Sequence, residues 1–227
     1  MIVVGVNAIV CCSFYVDSFE GHLPLETVII QDLIPHIDST YRTLAQREFR
    51  AVEGFSMGGF GALHLGFKYP EVFGAVSDHA GAIYDAAEGR AALCCNNIYR
   101  SWNYAFGADE TYFNAQSPYT LALQNADSIR GKTIIRVMVG QLDNATLNYN
   151  LVFHNYLTSL NIGHEYQIVP GATHDKFAYY GLLGFSAFNP FYLQAFSGAP
   201  ALPQLRHSPT PTPTPTSTTP SIRRPRE

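Results

Sequence analysis

The sequence predicts an α/β fold with a mainly parallel sheet and flanking helices. Three observations carry that expectation. Short apolar runs rich in Val and Ile alternate with helix-length segments, as in sheets whose strands are joined by helices. One Gly-x-Ser-x-Gly sequence, Gly54-Phe55-Ser56-Met57-Gly58, stands between such a run and a small, apolar helical segment. Loops carrying Asp and His follow two later apolar runs, and functional residues of open α/β sheets gather at strand C-termini.

The chain has 227 residues, enough for one α/β domain with a sizeable core. Apolar residues make up 47% and charged residues 14%, so the composition is globular and the surface weakly charged. A net charge of -4 gives no electrostatic reason to expect nucleic acid or an anionic membrane as partner. No apolar run reaches the length of a membrane span. The cysteines form two vicinal pairs, Cys11-Cys12 and Cys94-Cys95, without a C-x-x-C, so a zinc or thioredoxin-type site is not expected. Bridges between the pairs and buried free thiols both fit that arrangement. No metal or organic cofactor is implied.

Taken in order, residues 2–8 read as a near-continuous apolar strand, and Met1 to Val6 lacks the charged start of a signal peptide. Residues 8–25 read as loop. From Glu26 to Tyr41 an i+4 stripe of Ile29, Leu33, Ile37 and Tyr41, flanked by Ile30 and Ile34, predicts an amphipathic helix that Pro35 bends or restarts. Residues 49–53 form a short strand into the Gly-x-Ser-x-Gly turn, where both glycines are expected to relieve crowding. The segment 58–67 is a buried helix stopped by Pro70. Residues 72–77 read as another buried strand. Residues 80–117 lack a period and hold Tyr84, Tyr99, Trp102, Tyr104, Phe106, Tyr112 and Phe113. They form either a cap or binding loop, or an insertion whose rings pack it onto the body. A helix is expected at 118–128, a strand at 133–139, a helix at 145–161, a strand at 165–169 and a helix at 176–188.

The domain is expected to span 1–197, with 198–227 a Pro/Thr-rich disordered linker. The run Ser208-Pro209-Thr210-Pro211-Thr212-Pro213-Thr214-Pro215-Thr216 has nothing to bury and favours extended chain. Such linkers usually join modules of exported proteins, which points to a secreted or cell-surface protein with a further module after the linker.

A serine hydroxyl needs a base to remove its proton, and the base needs a third group to hold its tautomer. Downstream of Ser56 the best acid is Asp143, just past the 133–139 strand, and the best histidine is His174, just past 165–169. The order Ser, acid, His is that of strand-turn-helix serine hydrolases. His79 follows the 72–77 strand and precedes the acid; His64 and His154 lie within helices and read as structural. Asp175 adjoins His174 and is expected to point away from it.

The stretch from Glu26 to Tyr41, with Arg42-Thr43, and then Arg47 to Leu63 through Gly54-Phe55-Ser56-Met57-Gly58-Gly59 resembles the esterase D-like family of α/β-hydrolases. That family includes feruloyl and acetyl xylan esterases, S-formylglutathione hydrolases, enterochelin esterases and mycolyltransferases. The resemblance covers about residues 2 to 190. It implies an α/β-hydrolase fold and a serine carboxylesterase acting through an acyl-enzyme, with catalytic Ser56, Asp143 and His174 and with Met57 N–H as one oxyanion-hole donor. The family carries further strands ahead of the one expected at 2–8, and a loop among them supplies the second donor. The sequence therefore reads as a sheet lacking its first strands, from a protein whose start lies upstream of Met1. The implied substrate is a small-molecule or polysaccharide-linked ester, feruloyl or acetyl. An acyltransferase of the same family and a non-catalytic surface module are the alternatives.

Overall fold

A computed structural model of the chain describes residues 1–7, 13–91, 102–184 and 189–197. Both cysteine pairs, Tyr99 and the Pro/Thr run lie outside these residues. Four strands form one parallel sheet: β1 (Ala51–Phe55), β2 (Ala75–His79), β3 (Ile134–Gly140) and β4 (Glu165–Val169), in that spatial order. Because all four point the same way, their C-terminal ends share one edge, and the loops that leave them converge there.

Period-two alternation gives the sheet two apolar faces. On one face Val76, Ile135 and Val137 pack against Leu63 and Phe67 of α3 (Met57–Lys68), Leu121 and Ala122 of α7 (Pro118–Gln124), Ile129 of α8 (Ala126–Ile129), and Phe153 and Leu157 of α9 (Leu147–Ser159). On the other, Ala75 and Ile134 meet Phe191 and Ala195 of α11 (Asn189–Ala195), while Met138 and Val169 meet Tyr179 of α10 (Lys176–Leu183). With about 1.5–3 kcal/mol gained per large apolar side chain buried, these two layers hold the sheet rigid beneath the loops at its C-terminal edge.

Residues 25–40 are helical in three pieces: α1 (Leu25–Thr27), a π-helical stretch Val28–Leu33, and α2 (Ile34–Thr40). Ile34 N–H bonds Ile29 O, five residues back, and Pro35 sits in the first turn of α2, where a missing N–H costs least. The π turn shifts the phase of the stripe: Ile29 is buried, Leu33 and Ile37 are half-buried, and Tyr41 is exposed. Buried Glu26 ties this region to α3, accepting hydrogen bonds from His64 Nε2 at 2.6 Å, from Lys68 Nζ at 2.9 Å and from the Tyr69 hydroxyl. Burial pushes the Glu26 carboxyl up, but the hydrogen bond and charge of His64, with the hydrogen bonds of Lys68 and Tyr69, bring it down to about 2.

Several expectations are corrected. Residues 2–7 form no strand, and Ile2, Val3 and Val4 are exposed. Among the described residues β1 has β2 on one side and no strand on the other, so this apolar run has no ladder to join. The strand expected at 49–53 begins at Ala51, because Arg47–Phe49 closes a 3-10 turn. The strand expected at 72–77 begins at Ala75: the Val72 and Phe73 N–H groups bond Tyr69 O, ending the turn that leaves α3. Phe73 is buried in that turn, so its apolarity looked like strand.

The segment 80–117 is partly helical. It contains α4 (Ala86–Ala91), α5 (Trp102–Phe106) and α6 (Glu110–Gln116). Trp102, Phe106 and Phe113 meet one another at tilted and edge-on angles with centroids 4.3–5.0 Å apart and pack on Phe14 and Phe60. These three rings act as core, as the packing reading requires; Tyr84 and Tyr112 lie at the rim with Met57.

Candidate active site

β1 runs straight into α3 through Ser56, whose φ of 57° and ψ of -115° lie where few residues other than glycine settle. Hydrogen bonds on both sides impose that turn: Ser56 N–H donates to His79 O at 2.9 Å, and Ala82 N–H donates to Ser56 O at 3.0 Å. Such strain persists only where the surroundings over-determine it. The two glycines of the motif differ. A Cβ on Gly54 would collide with the Gly58 carbonyl, so the crossing of β1 and α3 needs glycine there. A Cβ on Gly58 would have only Tyr15 Cε2 near it, at 3.9 Å, an ordinary contact. The expectation that both glycines relieve crowding is therefore corrected for Gly58.

Asp143 follows β3 and is fully buried. Its Oδ1 accepts from Ala145 N–H at 3.0 Å and Thr146 N–H at 2.9 Å; its Oδ2 accepts from Thr146 Oγ1–H at 2.7 Å. His174 follows β4, and its Nδ1–H donates to the same Oδ2 at 2.7 Å. Burial raises the Asp143 carboxyl, but the hydrogen bonds of His174 and Thr146, with the charge of His174, outweigh burial and hold it below its usual value. The Ser56 hydroxyl lies 2.8 Å from His174 Nε2. The structure thus brings Ser56, His174 and Asp143 into one hydrogen-bonded line at the C-terminal edge of the sheet. Since Asp143 stays ionised and fixes Nδ1–H, Nε2 is left as the basic nitrogen facing Ser56.

Met57 is the first residue of α3, so its N–H lies ahead of the helix's own hydrogen-bond ladder. It stands at the positive end of a helix that begins at the serine.

The other candidates lie elsewhere. His64 is buried between Glu26 and the Gln116 carbonyl. His154 bonds His164 at 2.8 Å and stacks on Tyr166. Asp175 caps α10, accepting from Phe177 N–H and Ala178 N–H at 2.9 Å. His79 is buried under the site, bonded to Ser77 and Tyr180. A shallow cleft lined by Thr133, Ile134, His164 and Phe191 sits at the opposite, N-terminal end of the strands and takes no part in the site. Sequence reasoning missed Thr146, which completes the Asp143 cradle. Its signal was the Asp-x-x-Thr spacing ahead of a helix, since short polar side chains bond backbone in such turns.

The fold is that of the α/β-hydrolases, a parallel sheet with helices on both faces and the serine on the strand-to-helix turn. The chain belongs to the Putative esterase family, whose model matches residues 12–191. It is 33% identical over 174 residues to Esterase Rv1288 of Mycobacterium tuberculosis (strain ATCC 25618 / H37Rv). That alignment covers 69% of this chain and 37% of the relative, so the chain matches little more than a third of the curated protein's length. Among solved structures it is similar to a ferulic acid esterase, with a TM-score of 0.62 and 20% identity over 80% of this chain and 64% of the other. It is also similar to the fluorophosphonate-binding serine hydrolase F of Staphylococcus aureus, with a TM-score of 0.67, 19% identity, and coverage of 79% and 68%.

Proposed function

We propose that this chain is a serine carboxylesterase working through an acyl-enzyme, with Ser56 as nucleophile, His174 as general base and acid, and Asp143 as its orienting carboxylate. His174 carries this reading, because its ring meets Ser56 at 2.8 Å and Asp143 at 2.7 Å with one nitrogen each. In the acylation step Nε2 takes the hydroxyl proton as Oγ bonds the ester carbonyl carbon. The oxyanion forms beside the Met57 N–H and the start of α3, where a preorganised donor is worth about 10²–10³ in rate. Nε2–H then protonates the departing alcohol oxygen as its bond to carbon breaks. Water, deprotonated by the same nitrogen, cleaves the acyl-serine and restores Ser56.

The substrate proposed is an acyl ester carried by a polysaccharide, feruloyl or acetyl, acted on outside the cell. The structural likeness to a ferulic acid esterase supports the ester class, and the Pro-Thr run at 208–216 supports an exported, tethered protein.

The test is hydrolysis of p-nitrophenyl acetate by the chain and by Ser56→Ala. Turnover that falls by about 10⁴ or more in the variant is expected. Equal rates in both would overturn the assignment. Acyl transfer to an added sugar alcohol in place of release to water would redirect the reading to a transferase.

A further inference from the structure

A second histidine, unused in the reaction above, lies beneath the site. His79 ends β2, level with Phe55 of β1 and Met138 of β3, and is fully buried. Its Nε2 faces the Ser77 hydroxyl at 2.7 Å and Arg136 Nη2 at 3.4 Å. A guanidinium can only donate, and Glu53 Oε2, 4.0 Å from the same nitrogen, is beyond hydrogen-bond reach, so Nε2 is the accepting, unprotonated nitrogen. Arg136 Nε–H also donates to Ser77 Oγ at 3.0 Å, which leaves the Ser77 proton for His79 Nε2. Burial and the charge of Arg136 push His79 down to about 3, so the ring is neutral and its one proton sits on Nδ1. That nitrogen lies 3.0 Å from Tyr180 Oη. A directed chain results, with Arg136 donating to Ser77, Ser77 to His79 and His79 to Tyr180.

Tyr180 belongs to α10, whose first residue stands two after His174. Phe55 rests against the His174 ring, with centroids 5.0 Å apart, and is held in turn by Tyr179 at 5.4 Å and Tyr180 at 6.0 Å. His79 packs on Tyr180 at 5.7 Å. The His174 side chain is 29% exposed and sits on a loop, and among the described residues Ser56, Asp143 and this aromatic layer restrain it.

We infer that His79 is a positioning residue: as the Nδ1–H tautomer it fixes Tyr180, and through Tyr180 and Phe55 it holds the His174 ring in line between Ser56 and Asp143. The inference rests on the esterase reading, and its test separates the two. The full chain is compared with Tyr180→Phe, His79→Gln and the double variant in p-nitrophenyl acetate hydrolysis. The exchange with water of the proton between His174 and Asp143 is followed by NMR in the same proteins.

Each single change is expected to lower kcat by about tenfold, the scale of a sub-ångström misplacement, with KM within about twofold. The double variant falls no further than the worse single, because both cut one chain, and the His174 proton exchanges several-fold faster in Tyr180→Phe. Losses that multiply in the double variant, or a lowered Tm with kcat and proton exchange unchanged, overturn it. If His79→Gln does not fold, Tyr180→Phe, which removes one oxygen, decides. If the wild-type chain hydrolyses no ester, the esterase reading fails, and the exchange rate still judges the positioning: unchanged exchange in Tyr180→Phe overturns it.

Discussion

Asp143 and Asp78 are both fully buried near the C-terminal edge of the same sheet, yet their environments are opposite. Asp143 collects four donors and is held below the usual carboxylate range. Asp78, in β2, has no hydrogen-bond partner for either oxygen among the described residues. It is wedged against the Cα atoms of Gly59 and Gly81, where a Cβ on either would strike its Oδ1. Burial drives Asp78 well above its ordinary value; the neighbouring Gly81 N–H opposes that shift without completing a hydrogen bond. Equal burial leaves one carboxyl lowered and the other raised because donors, not depth, decide which form the site favours. Asp143 holds His174 through Nδ1–H, and Asp78 fills space beneath the elbow against Gly59 and Gly81.

The widest separation between the two is expected from the matched amide changes. Asp143→Asn frees His174 to take the wrong tautomer and should lower kcat by about 10³–10⁴. Asp78→Asn keeps the shape of a side chain that hydrogen-bonds none of Ser56, His174 and Asp143 and should leave kcat within about threefold. Equal losses in both would erase the distinction. Next in size is Gly59→Ala, which presses a methyl into Asp78 and Gly81 and should cost about 3 kcal/mol in denaturant unfolding.

The pH dependence of stability sharpens the contrast. A depressed carboxyl contributes stability that is full above its unfolded value, near 4, and is lost as pH falls through its folded value. Asp143 and Glu26, with the latter's folded value at about 2, belong to this class. Asp78 works in reverse: its contribution is full below about pH 4 and is lost as pH rises toward its raised folded value. The Tm of Asp78→Asn relative to wild type should therefore climb as pH rises above about 4, whereas parallel curves would mean that folding leaves the Asp78 carboxyl unshifted. The smallest effect expected is that of Gly58→Ala, one residue before Gly59. It meets only Tyr15 at 3.9 Å and should change stability by no more than about 1 kcal/mol, in the favourable direction.

The parts of this molecule that depend on local pattern were legible in its sequence. The β3 and β4 strands, the helix after Ser56 and the loops bearing Asp143 and His174 follow from apolar runs ended by Gly, Asp and Pro. What depends on partners was not. Ile2 to Val6 has strand composition but no ladder to join among the described residues. Val72 and Phe73 are apolar because a turn is buried against α3, which periodicity does not separate from a strand. The π turn at Val28–Leu33 inserts a phase shift that an i+4 stripe hides. The isolation of Asp78 and the bond from His79 to Tyr180 each join residues whose chemistry depends on what else is near, and spacing carries no trace of them.

The central claim is that Ser56 is an activated nucleophile, with His174 drawing its proton. Its most direct test is reaction of the chain with a fluorophosphonate, followed by peptide mapping of the adduct. The account expects one phosphonylated residue, Ser56, labelled at a similar rate in Asp78→Asn and far more slowly in Asp143→Asn. An adduct on another serine, or none at all on a folded chain, would contradict it.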